Sequence, residues 1–213
     1  SRSFGEVVAL RGVDLTVRIG EMFGLVGPDG SGKSTFIRML CGILTPDSGT
    51  GSILGRDIVR ERHALKREIG YLSQKFTLYG DLSVDENIEF FAELHRVYDY
   101  RDLRETLLDF TQLTPFRDRL AERLSGGMKQ KLALICTLIH QPKVIFLDEP
   151  TTGVDPVSRR ELWGLLQKLN ADGMTVILCT PYLDEAERCA RVAFINRGAL
   201  LRADTPDNLR RII

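Results

Sequence analysis

The sequence has no surplus of either charge sign: 29 lysines and arginines stand against 29 aspartates and glutamates in 213 residues. A protein that holds nucleic acid through its phosphates needs a basic excess or a basic stripe, so the balance argues against a nucleic-acid partner. No apolar run approaches the roughly 20 residues of a membrane-spanning helix. The N-terminus lacks the charged-then-apolar layout of a secretory signal. If a membrane is involved, a partner must supply it. Cys41, Cys136, Cys179 and Cys189 have none of the paired spacing of a metal site and sit in apolar stretches. They read as small buried hydrophobes in a reducing compartment. His63, His95 and His140 lie far apart near predicted helix ends and carry no assigned chemistry. No internal repeat or low-complexity linker interrupts the chain. What remains is 43% hydrophobic, enough for a sizeable core in one large domain spanning 1–213.

The stretch that stands out is Gly27-Pro28-Asp29-Gly30-Ser31-Gly32-Lys33-Ser34, followed by Thr35. It fits the phosphate-binding loop pattern of spaced glycines and a terminal Lys-Ser. Glycines let the backbone bend so that its N–H groups point at a polyphosphate, Lys33 adds a point charge, and Ser34 offers a hydroxyl to magnesium. The helix that opens here turns its positive end toward the anion. The context fits: Met22-Phe23-Gly24-Leu25-Val26 reads as a short buried strand before the loop, and Thr35 to Cys41 as a helix after it.

Ahead of the loop, Val13, Leu15, Val17 and Ile19 alternate with polar residues, the period of a half-buried antiparallel strand. Phe4 precedes it on a loop. Ser52-Ile53-Leu54 and Ile69-Gly70-Tyr71-Leu72 are further short strands, the second ending at Ser73-Gln74. From Gln74 the pattern turns helical: Ser83-Val84-Asp85-Glu86 has capping-box spacing, Leu103, Leu107, Leu108 and Phe110 mark a second helix, and Ser125 starts a third. Lys75 to Tyr79 is more apolar than a free surface requires and reads as a docking loop, or else as packing within the lobe. Val144-Ile145-Phe146-Leu147 resumes the sheet and delivers Asp148 and Glu149 to its C-terminal edge. Asp155-Pro156 caps the next helix, Thr175 to Cys179 is a buried strand, and Tyr182 to Ala190 reads as a helix. The expected architecture is α/β: a phosphate-loop (RecA-like) core from 1–73 and 144–213, with an N-terminal antiparallel β subdomain and an inserted helical subdomain over 74–143. A terminal helix running from Asp207 to the last residue, and Phe4 so near the first, suggest a piece of a longer chain.

Three segments narrow the reading. Leu124-Ser125-Gly126-Gly127-Met128-Lys129-Gln130 puts a serine and two glycines at a helix N-terminus, itself an anion-binding device. Asp148 can orient magnesium and Glu149 can accept a proton from water. Gln74, after its strand, is a neutral amide within reach of both metal and water. Together these residues resemble the nucleotide-binding domains of ABC ATPases over essentially the whole chain. The resemblance implies that Phe4 stacks on adenine, that Gln74 is the Q-loop glutamine, and that Glu149 is the general base. It also implies that Ser125, Gly126, Gly127 and Gln130 form a signature meeting the ATP of a second domain, and that Asp155 belongs to the D-loop. Two domains would pack head to tail, identical or not, on a polytopic membrane permease at the cytoplasmic face of the membrane. Gly153-Val154-Asp155-Pro156 and Asp184-Glu185-Ala186-Glu187 look most like bacterial ABC-2 type exporters of drugs or other compounds.

Two positions depart from the family pattern. Asp29 stands where asparagine is usual, and a side chain turned away from the backbone-lined loop accommodates it. Pro181 stands at the switch histidine, where it offers no side-chain donor to a γ-phosphate; a proline also suits the approach to a helix. Pro181 therefore divides the leading reading, the ATPase engine of an exporter, from a weakly hydrolytic half of an asymmetric pair. A soluble ABC ATPase outside transport would bring coiled-coil insertions, a tandem domain or basic surfaces, and no such insertion or surface is visible in the sequence.

Overall fold

A parallel strand covered on both faces needs apolar side chains on both, and the sequence provides three such runs. In the computed structural model, which describes residues 1–74 and 78–211, all residues of Met22–Val26, Val144–Asp148 and Thr175–Thr180 are buried. In chain order the strands are β1 (Arg2–Phe4), β2 (Val7–Leu10), β3 (Met22–Val26), β4 (Ser52–Ile53), β5 (Arg56–Asp57), β6 (Ile69–Leu72), β7 (Val144–Asp148), β8 (Thr175–Thr180), β9 (Arg191–Asn196) and β10 (Ala199–Asp204). The helices are α1 (Lys33–Leu40), α2 (Arg62–Leu65), α3 (Val84–Leu94), α4 (Arg101–Thr111), α5 (Gly126–Leu138), α6 (Pro156–Ala171), α7 (Leu183–Ala186) and α8 (Pro206–Arg210).

Six strands form one sheet in the order β10-β9-β3-β8-β7-β6. All neighbours are parallel except β10, which returns antiparallel on β9. The strand before the phosphate loop, β3, is thus separated from the strand of the two acids, β7, by β8. Register pairs Val26 with Thr180 and Asp148 with Cys179, so three functional segments leave the sheet at one edge. That carboxyl edge is where open α/β sheets bind ligands. Alternation along β7 feeds two cores: Ile145 and Leu147 join a cluster with Leu132, Ile135 and Trp163, whereas Val144 and Phe146 join one with Phe36 and Ile37. Each such side chain contributes about 1.5–3 kcal/mol by leaving water, which holds the loops at the edge on a rigid base. The fold is the α/β phosphate-loop type expected.

Between β6 and β7 the described chain is helical. Ser83 and Glu86 form the reciprocal capping box predicted for α3: the Ser83 hydroxyl accepts from the Glu86 amide at 3.2 Å, and the Glu86 carboxylate accepts from the Ser83 amide at 2.7 Å. Lys75, Phe76 and Thr77, read above as part of a docking loop, lie outside the described residues. Leu78 packs partly buried against the lobe core, and Tyr79, 45% exposed, meets the Phe90 ring edge-on at 4.5 Å.

Three expectations need correction. Phe4, expected on a loop, ends β1 and pairs with Val7. The strand expected over Val13 to Ile19 forms no ladder. Val13, Leu15 and Val17 do turn inward onto the second core while Asp14, Thr16 and Arg18 face solvent, but Ile19 is 83% exposed. Extended backbone alternates its side chains whether or not a neighbour pairs with it. Here the backbone groups are taken up singly: the Arg11 amide donates to Gly198 O at 2.7 Å, the Arg18 amide donates to Glu21 at 2.7 Å, and Thr16 O accepts from Arg191 at 3.2 Å. The antiparallel β subdomain accordingly consists of two separate two-stranded ladders, β1-β2 and β4-β5. The helix expected from Tyr182 to Ala190 holds helical geometry only over α7 before the chain turns into β9. All four cysteines are buried. Among the described residues no helix is long and apolar enough to cross a membrane.

Candidate nucleotide site

The phosphate loop runs from the end of β3 into α1. Gly32 caps that helix at φ 106, and a Cβ there would lie 2.5 Å from the Ala9 carbonyl oxygen, so both conformation and space require glycine. Lys33, 3% exposed, folds back across the loop. Its ammonium donates to Gly27 O at 2.8 Å and Pro28 O at 3.0 Å and lies 3.4 Å from Glu149 Oε1. Two of the ammonium's three donors are thus taken by loop carbonyls, with the carboxylate of Glu149 alongside as an ion pair.

Ser34, at the start of α1, donates to Asp148 Oδ1 at 2.8 Å. The other oxygen of Asp148 lies 3.4 Å from the Tyr71 hydroxyl on β6, which in turn accepts from Arg38 Nε at 3.4 Å. Burial pushes the Tyr71 phenol pKa upward, which keeps it a donor. Glu149 holds the next position in the left-handed region at φ 52, a conformation costing about 1–2 kcal/mol for a residue with a Cβ. Its amide is anchored to Cys179 O at 3.0 Å, and its Oε2 accepts from Gln74 Nε2 at 2.9 Å and Thr152 Oγ1 at 3.3 Å. The turn out of β7 thus aims the carboxylate back at the loop.

A cleft of about 500 Å³ opens here. Gly30, Gly32, Lys33, Ser34, Thr35 and Glu149 form its inner wall, and Val7, Val8, Arg11 and Arg197 its outer wall. Asp29 is exposed and outside the lining, consistent with a side chain turned away, while Ser31 is buried with no partner for its hydroxyl among the described residues. Phe4 is not brought into the cleft. Its ring is 47% exposed and lies under the Arg2 guanidinium, 5.0 Å away, which Asp47 holds at 2.6 Å. The β1-β2 hairpin instead presents Val7 and Val8 to the cleft, while Phe4, although paired with Val7 across the ladder, packs against Arg2.

The residues expected to form a signature lie elsewhere. Ser125 caps α5 by accepting from the Met128 amide at 3.3 Å, and Ser125 and Gly126 are exposed while Gly127 and Gln130 are buried. Gly127 packs so tightly on α6 that a Cβ would lie 2.2 Å from Ser158 Oγ. None of the four lines the cleft. Asp155 caps α6, accepting from the Val157 and Ser158 amides at 3.0 Å each. Hydrogen bonding to Ser158 holds its carboxyl below the usual range. Pro181 follows β8 two residues ahead of α7, not in its first turn.

The donor set suits a hard divalent cation. Ser34 and Asp148 present a hydroxyl and a carboxylate in direct contact, and Gln74 brings an amide to the adjoining Glu149. Among the described residues no group of three or more His, Cys, Asp or Glu could hold a metal alone. Such a cation would share its shell with substrate phosphates, as magnesium does. Sequence reasoning missed Tyr71 and Thr152. Tyr71 reads only as a strand residue until β6 is seen beside β7, yet its hydroxyl three residues before Gln74 was the available signal.

A glycine-rich loop closing a parallel strand, a lysine folded over it and a Ser-Asp pair across one strand define a phosphate-loop nucleotide-binding domain. Residues 10–152 match the ABC transporter family, and the chain belongs to that family. It is 49% identical over 203 residues to the probable multidrug ABC transporter ATP-binding protein YbhF of Escherichia coli (strain K12), covering 94% of this chain and 35% of that protein. It is 38% identical over 212 residues to the daunorubicin resistance ATP-binding protein DrrA3 of Streptomyces coeruleorubidus, covering 98% of this chain and 67% of that one. Among solved structures, the post-hydrolysis dimer of the ATP-binding cassette MJ0796 with ADP and Pi superposes with a TM-score of 0.84 at 28% identity, covering 96% and 94% of the two chains. The chain therefore spans about a third of the length of the Escherichia coli relative.

Proposed function

We propose that this chain is the ATP-binding and hydrolysing part of a membrane exporter of the ABC-2 type that moves drugs or other small molecules. The observation that carries the reading is the Ser34–Asp148 pair beside the Lys33–Glu149–Gln74 set at one sheet edge. Lys33 and the loop amides bind the β- and γ-phosphates, with Thr35 at the cleft wall. Ser34, Asp148 and Gln74 would hold a magnesium ion, which when bound neutralises phosphate charge. Glu149 takes the proton of the attacking water, and Gln74 orients that carboxylate. Val7 and Val8 meet the nucleotide from the outer wall, with Phe4 joining them against adenine if the hairpin turns it inward.

The exposed Ser125 and Gly126, remote from this chain's own cleft, support a head-to-tail dimer in which each signature completes the other domain's site. The drug-export names of its relatives support a polytopic permease as the third component, with this chain peripheral on the cytoplasmic face. A second reading is favoured by Pro181: a weakly hydrolytic half of an asymmetric pair, whose partner keeps a full switch. Turnover of the assembled complex, compared between Glu149→Gln and Ser125→Ala, tests both. Glu149→Gln abolishing turnover supports a hydrolysing site. A greater loss from Ser125→Ala supports the asymmetric half, and full activity in both variants refutes either.

A further inference from the structure

Of the acids in Asp184-Glu185-Ala186-Glu187, only Glu185 is buried, and it is fully so. Its two carboxylate oxygens serve different loops. Oε2 accepts from Thr180 Oγ1 at 2.6 Å, and Oε1 accepts from Thr151 Oγ1. Both hydroxyl residues are themselves nearly inaccessible. Thr151 lies two residues beyond Glu149 in the turn out of β7, and Thr180 immediately precedes Pro181 at the end of β8. The Thr180 hydroxyl also accepts from the Tyr182 amide at 3.0 Å, which pins the loop after Pro181. Arg159 of α6 brings its Nε to 3.9 Å from Glu185 Oε1 and its guanidinium to 4.8 Å from the Tyr182 ring centroid. That helix also carries Ser158, the residue against Gly127 of the signature.

A carboxylate taken wholly out of water is costly, and an apolar side chain of similar volume would fill the space more cheaply. Its two hydroxyl partners are the last residue of β8, just before Pro181, and a residue of the turn that carries Glu149. We propose that Glu185 is a positioning residue for hydrolysis: through Thr151 and Thr180 it locks the turn carrying Glu149 to the loop carrying Pro181, so that the two shift together. With proline at the switch, this buried tie sets where the base stands without any side-chain donor from position 181. The inference rests on the hydrolytic reading above.

The test uses the full-length protein assembled with its partners. Glu185→Gln preserves shape while weakening one acceptor. It should leave ATP affinity within about twofold of the parent while kcat falls about tenfold to a hundredfold, the scale of an ångström-level misplacement. Amide hydrogen exchange should quicken in 150–153 and 180–182 together. Unchanged kcat overturns the proposal, as does a joint fall of kcat, ATP affinity and thermal midpoint with exchange quickening throughout, the pattern of a merely structural residue. Should Glu185→Gln not assemble, Thr151→Val and Thr180→Val each remove one tie, and each should speed exchange in the opposite loop as well as its own. Effects confined to the mutated loop overturn the proposal. Full turnover in Glu149→Gln would refute the hydrolytic reading itself, while the exchange pattern would still decide whether Glu185 joins the loops.

Discussion

Lys33 Nζ lies 3.4 Å from Glu149 Oε1, with the two side chains 3% and 9% exposed, so the proposed phosphate-binding cation and the proposed base neutralise each other. A γ-phosphate must compete with this carboxylate for the ammonium. On the hydrolytic reading, nucleotide entry would turn the acid away from Lys33 and toward a water.

Lys33→Ala should therefore weaken ATP by about 1.5–3 kcal/mol, the scale of a charge-assisted hydrogen bond. Glu149→Gln should tighten it, because the neutral amide competes less well for the ammonium. Equilibrium titration reads both. Equal affinity of Lys33→Ala and the parent would remove Lys33 from the site.

Position 181 tests the missing histidine. Restoring a donor by Pro181→His should raise turnover of this site by about a hundredfold if the site is an impaired half, with little change in ATP affinity. Single-turnover kinetics on the assembled complex measures it. No change would mean that the site hydrolyses without a switch histidine.

The signature helix tolerates no side chain at its second glycine. Gly127→Ala would put a Cβ 2.2 Å from Ser158 Oγ and 2.3 Å from Ser158 Cβ, and overpacking of this kind costs about 1–3 kcal/mol. Because the Cβ itself clashes, Ser158→Ala should not rescue the variant, whereas Ser158→Gly should. Thermal midpoints of the four proteins decide.

The stacked rings of His95 and His140, 4.0 Å between centroids, give a pH signature. His95 is exposed as a residue, but loss of hydration where its ring stacks on His140, then the charge of His140, pushes it down to about 4. An unfolded histidine titrates near about 6.5, so between these values the unfolded chain binds a proton that the folded ring does not. The contribution of His95 is fully present above about 6.5 and is lost as pH falls toward 4. Unfolding midpoints should drop over that window, and less in His95→Leu than in the parent.

The fold was legible because its signals are local: uninterrupted apolar runs for β3, β7 and β8, glycines for the loop, and a capping box for α3. Val13 to Ile19 misled because alternation records which way side chains face and not whether a ladder partner exists. Placement of the site came from strand order, which no local pattern contains. That Asp148 meets Ser34 follows from β8 lying between β3 and β7. The partners of Glu185, and the turning of Phe4 under Arg2, are tertiary outcomes that residue types alone do not specify.

The same strand order bears on how the protein is made. The strand before the phosphate loop leaves a ribosome well ahead of both its neighbours: Met22 pairs with Val176 and Phe23 with Arg191. Until those late strands arrive, β3 has two unpaired edges and an apolar surface, the state that invites aggregation and chaperone capture. The site between β3 and β7 is therefore complete only after β8 and β9 have been made.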